Sequence, residues 1–170
     1  MENQTIALLK ECSAGCRMAE ESMCQIRKAT DDQKLGALIA EYKGKHEKLK
    51  ARVDSMLAAE GYAPKEPPVM ASAFAKASTG VKLSWKEDSH QAAKILMDGC
   101  SMGIKTISSH INQSPEASAE SLGAAKDLVR MEEEFNRELK RFVCEKKMAA
   151  RKRRPGGHGS GGAHGKRAGA

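Results

Sequence analysis

The chain predicts an all-α protein, an antiparallel four-helix bundle that ends in a basic tail. Three observations lead there. Apolar residues recur three, four or seven positions apart over long stretches and nowhere alternate for long with the period of two that strands require. Aromatic residues are only 4% of the 170, so Leu, Ile, Met and Ala must fill the interior, a composition that favours helices over sheets. The length suits one domain with an extension. No apolar run approaches the roughly 18 residues of a membrane span. The opening MENQTIALLKECSAG lacks the basic and apolar segments of a secretory leader, which predicts a cytoplasmic protein.

The first helix shows Ile6, Leu9, Cys16, Met23 and Ile26 on one row. Thr30, followed by Asp31 and Asp32, predicts the cap and acidic first turn of the second. That helix carries Leu35, Leu38, Ile39, Tyr42, Leu49, Val53, Met56 and Leu57. Gly61 closes it, and Pro64, Pro67 and Pro68 forbid its continuation. A short amphipathic helix is expected over Val69–Ser78, with a break near Gly80 and a cap at Ser84. The third long helix then places Ala93, Met97, Cys100, Ile104, Ile107 and Ile111 on one row. Ser114, Pro115 and Glu116 read as cap, first-turn proline and acid of the fourth, whose row runs Leu122, Ala125, Leu128, Val129, Phe135, Leu139, Phe142 and Val143. Four helices with a crossing middle connection make the economical bundle. The domain is expected over 1–148, with a tail over 149–170.

Polar residues that interrupt these rows are the candidate functional groups. Glu20 falls between Cys16 and Met23, His46 between Tyr42 and Leu49, and Glu132 between Val129 and Phe135, while His90 precedes Ala93. Carboxylates and imidazoles converging inside four helices are how ferritin-like proteins hold two iron or manganese ions, using two Glu and two Glu-x-x-His steps. Here only Glu87–His90 has that step. Lys43 stands three before His46, and Phe135 stands where helix four would need its histidine. A set of Glu20, His46, Glu87, His90 and Glu132 thus offers at most a degenerate site for iron, manganese or zinc, and no cofactor is expected. The plainer reading leaves these groups hydrogen-bonded or at row edges.

Five cysteines without a CxxC pair predict free thiols, with Cys12 and Cys16 acting as small hydrophobes. No nucleophile–base pair or Gly-rich phosphate loop is visible, and His110 is expected to meet the carbonyls ending helix three. The sequence therefore favours a protein that is not an enzyme. Gly99 and Gly103, one turn apart, would allow close helix approach, within the chain or to a second copy.

The charge is uneven. Residues 1–144 hold 21 basic and 21 acidic side chains, whereas residues 145–170 hold eight basic and one acidic, a net +7. Seven of the 15 glycines lie in 155–170, where disorder is expected. Lys146, Lys147, Arg151, Lys152, Arg153 and Arg154 form a cluster suited to phosphate polyanions or an anionic surface through counterion release. No aromatic residue is present there to stack on bases.

The run Ile95-Leu96-Met97-Asp98-Gly99-Cys100-Ser101-Met102-Gly103-Ile104 and the closing Leu128-Val129-Arg130-Met131-Glu132-Glu133 resemble a family of uncharacterised clostridial proteins with a domain of unknown function. The likeness spans roughly residues 4–143. It implies an antiparallel ferritin-like four-helix bundle in the cytoplasm of a bacterium of low-GC Gram-positive type, with no established activity. The partners it leaves open are an unknown protein or a second copy. The basic tail is not part of the likeness.

Overall fold

The computed structural model describes residues 2–65 and 89–152, the last eight through their backbone alone. The rows of apolar residues fold into four helices: α1 (Glu2–Ala29), α2 (Gln33–Ala59), α3 (Ser89–Gln113) and α4 (Ala119–Lys152). No strand occurs among the described residues, so the all-α expectation holds for them. None of their helices is long and apolar enough to cross a membrane. The short helix expected at Val69–Ser78, the break near Gly80, the Ser84 cap and the disorder expected over 155–170 lie outside them.

Local chemistry sets the helix ends, sometimes at a neighbour of the residue expected. Asp32, not Thr30, caps α2: its carboxylate accepts from Lys34 N at 2.9 Å and Leu35 N at 3.0 Å. Thr30 instead accepts from Asp32 N, bracing the turn. Gly61 ends α2 as expected. With φ at 78° it takes the left-handed conformation that only glycine adopts cheaply, and Gly61 N and Tyr62 N close onto Ala58 O and Leu57 O. Ser114–Glu116 form a turn and not the start of α4. The start is set by Ser118, whose hydroxyl accepts from Ser121 N at 3.2 Å. That turn is pinned to α1, because Ser118 N donates to Thr5 Oγ1 and Glu116 N to Gln4 Oε1.

Two apolar clusters, one toward each end, hold the bundle. The first joins Ile6, Leu9 and Cys12 of α1 to Val53 and Leu57 of α2, Ile107 of α3, and Ala124 and Leu128 of α4. The second joins Met23 and Ile26 to Leu35 and Ile39, Ala93 and Leu96, and Leu139 and Phe142. Each buried Leu or Ile contributes about 1.5–3 kcal/mol. The cluster order fixes direction. α1 and α4 enter at the first cluster and leave at the second, whereas α2 and α3 run the other way. The connection between α2 and α3 thus begins and ends at opposite ends of the bundle. α1 packs on α2, α3 and α4 together. That is why it buries Leu8, Ser13 and Ala14 besides the expected row. α4 is the long element: 34 residues reach about 51 Å, against roughly 38–42 Å for the other three.

Candidate functional site: a buried histidine, glutamate and cysteine across three helices

Between the two clusters, three helices place polar side chains on one another. His46 on α2 is fully buried and Glu132 on α4 is 6% exposed. The imidazole Nδ1 lies 2.8 Å from Tyr42 O one turn earlier, and Nε2 lies 3.1 Å from Glu132 Oε1. The Cys100 thiol of α3 donates to the same carboxylate. A Cβ placed on Gly103 would stand 3.4 Å from Glu132 Oε1, so this glycine makes room for the carboxylate. Gly99 faces no described neighbour within 4 Å, so within the chain only Gly103 serves a close approach.

The contacts dictate the protonation. A carbonyl only accepts, so Nδ1 must carry a proton to bond Tyr42 O. A neutral His46 would then have a bare Nε2, which could meet Glu132 only if the carboxyl supplied a proton. One proton is shared either way. Burial alone would push the imidazole down. The Glu132 hydrogen bond and charge, the Tyr42 carbonyl and the field of Glu20 outweigh it and raise His46 above its ordinary value of 6.5. Folding therefore takes up a proton, and this stability is whole below about pH 6.5 and is lost as pH rises through the folded-state value. Denaturant titrations should show the protein less stable at about pH 8 than at about pH 6, and Glu132→Gln should flatten the difference.

The other expected residues are placed differently. Glu20 on α1 acts on His46 through its charge; its Oε1 is buried without a hydrogen-bond partner, and burial raises its carboxyl. His90 lies in the first turn of α3, roughly 15 Å along the helix from Cys100, so α3 brings Cys100 and not His90 to the level of Glu132. Glu87 lies outside the described residues. Lys43 turns outward to pair with Glu47. Among the described residues no group of three or more His, Cys, Asp or Glu is placed to hold a metal ion. The nitrogen a metal would take, Nε2, is occupied by Glu132. His110 reaches Glu11 of α1 at 3.8 Å. Lys146, Lys147, Arg151 and Lys152 lie on the last turns of α4, which carries on past the tail boundary expected at 149, while Arg153 and Arg154 lie outside the described residues.

All five cysteines are free. Burial pushes the Cys12 thiol up to about 12, with Glu11 adding to it, and raises Cys16 and Cys100 further still. Thiolate is the reactive form. A native protein treated with iodoacetamide should therefore label at exposed Cys144 and half-buried Cys24, and at all five only in denaturant. Rapid native labelling of Cys100 would contradict the buried geometry.

Comparison with family models, curated proteins and solved structures finds no match for this chain.

Proposed function

We propose that this chain is a ferritin-like, non-catalytic four-helix bundle, a cytoplasmic structural or interaction module akin to the clostridial family it resembles. Two antiparallel helix pairs joined by a connection that changes ends support the ferritin-like reading. One observation carries the non-catalytic part: the groups around His46 satisfy one another, although Glu20 Oε1 nearby is buried without a partner. Tyr42 O, both nitrogens of His46, Glu132 and Cys100 form one line across α2, α4 and α3, leaving His46 no nitrogen for a substrate or metal. The natural partner is another protein or a second copy of the chain. Elemental analysis tests the reading. Purified protein should be metal-free and stay so after incubation with iron, manganese or zinc. About one or two ions retained per chain would instead support a ferritin-like metal or redox protein.

A second reading concerns the C-terminus. Weak contact with polyanions through Lys146–Arg154 is supported by the course of α4, which keeps Lys146, Lys147, Arg151 and Lys152 on a helix beyond Val143, the last of the residues with described side chains to pack on the second cluster.

A further inference from the structure

The fold gathers more positive charge around the end of α4 than the tail alone supplies. α1 ends there, so its last turn brings Arg27 and Lys28 to the end of the bundle from which α4 projects. α2 begins there with Lys34, and Lys140 and Arg141 sit on α4 just before its projection. All five are exposed. Lys28, Lys34 and Lys140 form no ion pair among the described residues and Arg141 pairs with Glu138, while exposed Asp31 and the α2 cap Asp32, in the turn from α1 to α2, offset part of this charge. At the opposite end, Arg52 is taken up by Asp127 and Lys65 by Glu11. The sequence, neutral over 1–144, hides this pole because its members come from three separate segments.

Resting on the polyanion reading above, we infer that this end of the bundle is a docking face for duplex nucleic acid, held through its phosphates without reading sequence. A membrane fits less well. The exposed large hydrophobic residues described are Tyr62, at the opposite end, and Met102, midway along α3, so none of the described residues at the pole would enter acyl chains. Single strands fit less well too, since the described residues of the pole include no exposed aromatic platform and the tail sequence has no aromatic residue. A duplex supplies a dense row of phosphates, and each one neutralised releases a counterion.

The test is binding of a labelled duplex of about 24 base pairs to the full chain across a salt series from about 50 to 200 mM. Wild type should bind at low salt and weaken steeply as salt rises. The triple variant Lys28→Gln, Lys34→Gln, Lys140→Gln should weaken binding and flatten the log–log salt slope by roughly two to three units, at about 0.9 per phosphate contact. A control of equal charge change away from the pole, Lys48→Gln, Lys105→Gln, Lys126→Gln, should keep the wild-type slope. Equal loss in both triples, or no duplex binding by wild type, overturns the inference. Binding to heparin, polyglutamate or phosphatidylserine vesicles without duplex binding would overturn it too, yet leave the broader polyanion reading standing. Binding to none of them removes both.

Discussion

Glu132→Ala should lower the unfolding free energy by about 3–5 kcal/mol, the usual cost of deleting one partner of a buried pair. For a domain whose whole stability is about 5–15 kcal/mol, that is enough to unfold much of it on warming. The loss has three sources. His46 Nε2 is left buried with no partner, the Cys100 thiol loses its acceptor, and space opens beside Gly103, which has no side chain to fill it. Glu132→Gln separates polarity from charge. Its amide can donate to the bare Nε2 of a neutral His46 while the Tyr42 bond persists, so it should cost only about 1 kcal/mol. Replacing His46 and Glu132 together by Leu should cost far less than Glu132→Ala, because no polar group is then stranded. Urea titrations on the three variants decide the matter. A Glu132→Ala protein as stable as wild type would mean that the pair does not hold α2 to α4.

Phe135→Ala should cost about 3–5 kcal/mol by the transfer of a buried ring and the cavity it leaves. Phe135 is 1% exposed and stacks on Tyr42 with ring centroids 4.5 Å apart and planes 17° from parallel. The stack sits one turn from the ionic contact on both helices, since Tyr42 precedes His46 by four and Phe135 follows Glu132 by three. Tyr42 thus contributes its ring to Phe135 and its carbonyl to His46. Losing the ring should loosen the carbonyl as well, so Phe135→Ala and Glu132→Ala should be less than additive in a double-mutant cycle. A strictly additive result would show the two contacts to be independent.

Much of this was legible in the chain. Every residue of the row expected for α1 is buried, and so is every one expected for α2 except Met56, which is partly covered. A 3–4 period states which side of a helix is dry without reference to any partner. The same period singled out His46 and Glu132 as polar residues on dry sides. Which residue each would meet was not legible, because the sliding of one helix along another depends on caps and on packing at every level. A shift of two to four residues suffices to confuse it: Thr30 and Asp32, or Ser114 and Ser118, are equally competent caps, and only the turn geometry selects between them. Cys100 was read as a plain hydrophobe and Gly103 as a helix-contact residue. Both serve the carboxylate of Glu132, a role visible only once α3 and α4 are aligned. The basic pole escaped for a similar reason, being scattered in sequence and collected by topology.

The shared direction of α1 and α4 has a mechanical consequence. A tether on Glu2 and another on Lys152 would pull on opposite extremities of two co-directional rods that touch along their length. The load falls on the whole lateral seam at once, in sliding, and does not peel one turn after another. Grips at Glu2 and Ala59, on a counter-directed pair, would part that pair progressively and at smaller force.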